Sequence, residues 1–286
     1  MFDSLFKDLK YQWTTGNFWV RSIGISVAIF VMLNLVKALF TFQNNGIAGV
    51  VYDDIIHSIS LSSNWKSNLI QFWVWLTHIY VHEGFFHLLW NMLWLYWFAN
   101  IVEDLIGARH AKFIFFESAF CGGLFFVIAA QWIPWYQHSE VHAYGASAAV
   151  NGMLFAAATI SPGYTIRLVL IGDVQIKYIA LVVLILDLLF AGQQSNTGGH
   201  FAHLGGALWG YLYVILLRRG ISMDFTSLLK KKEKTRIRKN IRMHKPNTDP
   251  PAEDRLNKIL DKIHQHGIQS LSSEEKQFLD QKSKES

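Results

Sequence analysis

One cysteine is all that the 286-residue sequence contains, and a lone Cys121 excludes a disulfide-stapled scaffold. Internal repeats and low-complexity tracts are missing too, so the chain is neither a solenoid nor a biased coil. Charged residues make up only 16% of it, against roughly a quarter in ordinary soluble domains. What stands in their place is apolar: 51% of the residues are hydrophobic and 15% aromatic. They are gathered in blocks rather than spread along the chain.

Six blocks, about 20–42, 87–106, 111–132, 147–161, 176–191 and 201–217, approach the roughly 20 apolar residues that a membrane-crossing helix needs. The fourth and fifth are short. The first is long, contains Asn34 and Lys37 and has no clear small-x-small site after it, so it is not expected to be a cleaved signal peptide. Cys121, beside Gly122 and Gly123 in block three, reads as a small packing residue. The expected fold is all-α: a polytopic bundle of six transmembrane helices over residues 20–217. A lead at 1–19 carries Phe2, Leu5, Phe6 and Leu9 at a helical spacing suited to a membrane surface. The 43–86 loop holds Val50, Val51, Ile55, Ile56 and Ile59 at helix-like spacing, then Phe72, Trp73 and Trp75. That pattern fits interfacial helices with an aromatic anchor.

Basic residues are nearly absent from alternate segments. With six spans, 24 of the 26 Lys and Arg fall on the side that holds both termini. Lys66 alone falls on the other side, and Lys37 lies inside block one. Lys and Arg accumulate in cytoplasmic loops, so both termini are expected in the cytoplasm. Residues 218–251 form a basic linker, Arg218 to Lys245 followed by Pro246, Pro250 and Pro251, suited to topology and anionic lipid. No folded reading surface surrounds it, so nucleic acid is not an expected partner. Residues 252–286 read as a small cytoplasmic helical hairpin. Leu256, Ile259, Leu260 and Ile263 form one face, His266-Gly267 a turn, and Ser272-x-x-Glu275 a capping box.

The chemistry gathers at the outer ends of the blocks. Ser147 opens block four in Gly145-Ala146-Ser147, and His203 lies in the first turn of block six. Both blocks enter from the outer side, so the two residues share a depth. Ala148, Gly152 and Ala156 form a small-residue stripe on block four, and His203, Gly206 and Gly210 share a face of block six. Such stripes let helix backbones approach closely in lipid. Packing alone explains the stripes, but a serine needs a base to become a nucleophile, and an intramembrane ionisable residue is functional by default. Block two adds His87 and Asn91 at i, i+4, also at its outer end. With the Ser147 amide they suit an oxyanion hole, whose donors are worth about 2.7–4 kcal/mol each. His78 and His82 read as structural supports for the outer loop. The string His82-Glu83 then His87 is one residue longer than the zinc-binding H-E-x-x-H, which turns the second imidazole away from the first on a helix. No metal or other cofactor is expected.

These residues resemble the rhomboid family of intramembrane serine proteases over about residues 15–217. The resemblance rests on His82-x4-His87-x3-Asn91, on Gly145-x-Ser147, and on Ala202-His203-x-x-Gly206-x3-Gly210. It implies a six-helix core and a Ser–His dyad with no acidic third member. Ser147 would be the nucleophile, His203 the general base and acid, and His87, Asn91 and the Ser147 amide the oxyanion hole. Glu103 is similar to a structural carboxylate of the family. The chain departs from the pattern at Ala148, where Gly is frequent, and at Val74, where an Arg often follows the loop Trp. It departs again at Asn151, where an aromatic ring often stacks on the base and where Asn could hold His203 by a hydrogen bond instead. The expected function is cleavage of other proteins' transmembrane segments from the outer face of a prokaryotic plasma membrane. Two alternatives stand beside it: a catalytically silent rhomboid-like protein that binds membrane clients, and a transporter using Glu117 and Asp187. The absence of symmetry between the halves speaks against the transporter.

Overall fold

The computed structural model describes residues 7, 10–11, 13–43, 49–137, 140–168, 172–192, 197–221 and 252–285. The four apolar residues of the lead and nearly all of the basic linker lie outside them. The chain divides into two units, Met1–Leu228 and Leu229–Ser286.

In the first unit the apolar blocks form helices α1 (Phe18–Gln43), α5 (Phe85–Ile106), α6 (Ala108–Trp132), α7 (Ser147–Ile160), α8 (Ile176–Phe190) and α9 (Thr197–Arg218). The loop after α1 folds into α2 (Gly49–Ile59), strand β1 (Leu61–Ser62), α3 (Trp65–Ile70), α4 (Val74–Thr77) and a 3₁₀ turn at His78–Tyr80. Strand β2 (His142–Ala143) precedes α7, and a hairpin of β3 (Thr165–Leu168) and β4 (Gly172–Gln175) follows it. Four helices, α1, α5, α6 and α9, are long and apolar enough to cross a membrane. Helices α7 and α8 have 14 and 15 residues, about 21–23 Å at 1.5 Å per residue, short of the roughly 30 Å hydrocarbon layer.

α7 is the core of the bundle. Nine of its residues are buried, among them Ala149, Met153 and Leu154, because small side chains let α6 and α9 close on it. A Cβ on Gly206 would lie 2.0 Å from the Ala148 carbonyl oxygen, and one on Gly210 the same distance from that of Gly152. A Cβ on Gly152 would meet Ser118 Oγ at 2.0 Å, and one on Gly122 would meet Ala148 Cβ at 2.5 Å. The α7–α9 seam is therefore backbone against backbone, which in lipid replaces the hydrophobic effect as the source of cohesion. The last carbonyls of α7 are capped from α9, where the Arg218 guanidinium donates to Thr159 and Ile160, a cation at a helix C-terminus. At the start of α1, the indole N–H of fully buried Trp19 donates to Glu103 on α5.

In the second unit, α10 (Ala252–His266) and α11 (Ser273–Glu285) flank a turn at Gly267, which has φ +77°. The capping box is formed: Ser272 N–H donates to Glu275 at 2.7 Å and Glu275 N–H to Ser272 Oγ at 3.3 Å. Ile259 and Leu271 are buried, and Lys262 pairs with Glu275 at 2.8 Å. One residue of the expected apolar face does not belong to it. Leu260 is 48% exposed, since it is rotated 100° from Ile259 on the helix.

Candidate active site

The segment leading into α7 is fastened from the outer loop at several points. β1 pairs antiparallel with β2, Leu61 opposite Ala143, and Ser63 N–H donates to the Val141 carbonyl at 2.7 Å. The His78 carbonyl accepts Gly145 N–H at 2.8 Å, and His82 Nε2 accepts Ala146 N–H at 3.3 Å. These bonds set the role of each loop histidine. His78 Nδ1 donates to the Val74 carbonyl at 2.8 Å, and His82 Nδ1 faces the Tyr80 carbonyl at 3.4 Å. Both rings are buried, and desolvation first of all lowers each pKa to about 4, with nearby His87 a further cause for His82. Both are neutral at pH 7, and the His82 ring, which accepts the Ala146 N–H, must keep that nitrogen bare. Glu83 is engaged separately, accepting hydrogen bonds from Tyr144 and Tyr52. The histidine-rich string thus holds backbone and loop together.

Gly145 has φ +119°, and a Cβ there would lie 2.8 Å from two ring atoms of His87. Only glycine meets both demands. His87 also packs edge-on against His82 at 5.0 Å between ring centres. Asn91 is buried and donates one amide hydrogen to the His87 carbonyl at 2.8 Å, which leaves its second amide hydrogen for another acceptor.

His87 and Asn91 from α5, Ser147 and Asn151 from α7, Asp187 from α8 and His203 from α9 all line one cavity of about 720 Å³, a volume typical of ligand-binding clefts. Trp90, Trp94 and Val183 contribute apolar wall. Ser147 and His203 are half-buried and not hydrogen-bonded to each other in this state, which is common before substrate draws a nucleophile and base together. His203 is instead fixed through Nδ1, 2.8 Å from Asp187 Oδ1, and His200 Nδ1 reaches the same oxygen at 2.9 Å. Asn151 does not hold His203: its Oδ1 is buried without a hydrogen-bond partner.

The rhomboid domain family matches residues 69–220, more than half of the chain. The chain belongs to the rhomboid family. With four helices able to cross a bilayer, it is an integral membrane protein. A second family of unknown function (DUF6576) matches residues 252–285, the α10–α11 hairpin. No curated protein matches the chain.

The match takes in every helix of this rhomboid protein that lines the cavity. One cavity residue escaped sequence reasoning in its role. Asp187 reads from sequence as an interior carboxylate near a span end, and it is indeed buried, but its partners are His203 and His200. The available signal was depth: in the expected six-span layout block five ends on the side where blocks four and six begin. At the other departure, Val74 is fully buried and Trp73 donates its indole N–H to the Ser58 carbonyl at 2.7 Å, an anchor within the loop that needs no arginine.

Proposed function

We propose that this rhomboid protein is an intramembrane serine endopeptidase that cleaves transmembrane segments of other membrane proteins. One observation carries the reading: Ser147, His203, His87 and Asn91, drawn from three helices, share one cavity. Ser147 is the nucleophile. His203 accepts its proton and later gives it to the leaving amine, and the resulting acyl-enzyme is hydrolysed by water. His87, the free amide hydrogen of Asn91 and the Ser147 N–H receive the developing oxyanion. His78, His82 and Gly145 support the site by holding the loop before Ser147, and Gly206 and Gly210 by bringing α9 against α7. The reaction uses no metal or cofactor.

The short helices fit this role. With Ile160 at the inner boundary, α7 would end roughly 9 Å beneath the outer one, which places Ser147 within the bilayer yet within reach of outer water. In the proposed topology all six apolar helices cross, both termini and the hairpin are cytoplasmic, and the cavity faces outward in a prokaryotic plasma membrane. The basic composition of residues 218–251 suits anionic lipid. Substrates carry helix-weakening Gly or Pro near the outer face, because a helical peptide bond is shielded by its own hydrogen bonds. The test is cleavage of a co-reconstituted transmembrane substrate with such a segment. Wild type cleaves, and Ser147→Ala and His203→Ala do not. Cleavage that survives either substitution removes the reading, and absence of cleavage by wild type across such substrates leaves a client-binding protein.

A further inference from the structure

The helix α8 is almost wholly apolar, yet it buries one carboxylate, Asp187, 6% exposed. A charge there is costly unless it is paired and functional. Its Oδ1 receives two imidazoles of α9, His203 at 2.8 Å and His200 at 2.9 Å. Of the two, His203 shares the cavity with Ser147.

We propose that Asp187 is a positioning residue for the Ser147–His203 pair, so that this protein works with three groups where the family resemblance implies two. The proposal rests on the reading of Ser147 as nucleophile and His203 as base. By accepting the Nδ1–H of His203, Asp187 fixes the tautomer whose Nε2 is bare and turns that nitrogen over to the serine. The Ser147 O–H bond breaks as Oγ bonds to the substrate carbonyl carbon, and the proton moves to Nε2. The imidazolium then carries protons on both nitrogens, stabilised by Asp187, which stays ionised throughout. Nε2 passes its proton to the departing amine, and water repeats the cycle on the acyl-enzyme. His200, bonded to the same oxygen, keeps the carboxylate from rotating away. The chain thereby replaces what it lacks, since Asn151 stands where a stacking ring would orient the base and makes no bond to it.

The same three side chains are the one group of potential metal ligands among the described residues. The 2.8 and 2.9 Å separations are hydrogen-bond lengths, and it is as a hydrogen-bonded trio that they bear on the serine. The titratable groups around His203 are Asp187 and His200 and, lining the same cavity, His87, His142, Tyr136 and Tyr144. From α6, Glu117 is bound to Trp209, and α7 presents none.

Two measurements on the full-length protein test this. In the wild type with ¹⁵N-labelled histidine, the neutral His203 ring should carry its proton on Nδ1, with the signal assigned by its loss in His203→Gln. A proton on Nε2 overturns the proposal, and this arm stands even if Asp187 variants fail to fold. In kinetics on a transmembrane substrate, Asp187→Asn should lower kcat about 10²–10⁴-fold with KM nearly constant. It should also move the acid limb of the kcat/KM profile down by about one pH unit or more, and Asp187→Glu should recover part of the loss. A folded Asp187→Asn enzyme with kcat within about threefold of wild type and an unmoved limb overturns the proposal, while the Ser147–His203 reading survives. Cleavage by Ser147→Ala or His203→Ala overturns both.

Discussion

Gly206→Ala is the perturbation that tests the α7–α9 seam most sharply. The added methyl would lie 2.0 Å from the Ala148 carbonyl oxygen. Ordinary Cβ contacts begin at 3.4 Å, so the two backbones must part by more than 1 Å, and no flexible side chain is there to yield. Overpacking of this kind costs about 1–3 kcal/mol. A displacement of about 1 Å near reacting groups costs on the order of 10²-fold in rate, and Ala148 is bonded directly to Ser147. Gly210→Ala makes the same clash with Gly152, about 6 Å further along the helix. Both variants should therefore lose similar stability in thermal unfolding, while substrate cleavage falls about 10²-fold in Gly206→Ala and less in Gly210→Ala. Gly163→Ala, with nothing within 4 Å of its added methyl, is the control. Wild-type cleavage and melting by Gly206→Ala would refute the reasoning, since the seam would have to be looser than a backbone contact.

Two further outcomes are expected. His78 and His82 have pKa values lowered to about 4 by burial but regain about 6.5 on unfolding. The unfolded chain thus binds protons first, and the stabilisation is complete above pH 6.5. It is lost as pH falls toward 4, on the order of 3 kcal/mol for each ring. Thermal unfolding between pH 7.5 and 4 should show the midpoint dropping, and a flat profile would contradict the neutral, buried assignment. Gly145→Ala forces a methyl to 2.8 Å from the His87 ring at φ +119°. It should lower kcat more than it raises KM, because the oxyanion donors act only in the transition state; an unchanged kcat would argue that His87 donates nothing.

Much of this architecture was legible because lipid simplifies the sequence code. Backbone groups must be satisfied internally in a bilayer, so apolar blocks became helices within a few residues of their expected ends, as with block two at 87–106 and α5 at Phe85–Ile106. Small-residue stripes marked α7 and α9, whose contact really is carried by Gly206 and Gly210. Ser147, His203, His87 and Asn91 were readable as a set because the expected six-span layout puts all four at one depth, and in the structure they line one cavity. The loop's fastening of Gly145 and Ala146 was not readable, since it runs through a two-residue strand pair and a carbonyl of His78. Asp187 was underread for a related reason: which way a carboxylate turns on a short helix depends on rotation about the helix axis, and an apolar helix with no strong polar face does not declare it. Leu260 shows the limit in the C-terminal hairpin, where an apolar residue rotated 100° from Ile259 is left 48% exposed.

The central claim is that the Ser147 hydroxyl is an activated nucleophile. A fluorophosphonate probe applied to the membrane-embedded protein, followed by peptide mapping, tests it directly. The expected result is one covalent adduct, on Ser147, absent in Ser147→Ala and strongly slowed in His203→Ala. An unlabelled Ser147 in folded wild-type protein, or labelling that proceeds at the same rate without His203, would contradict it.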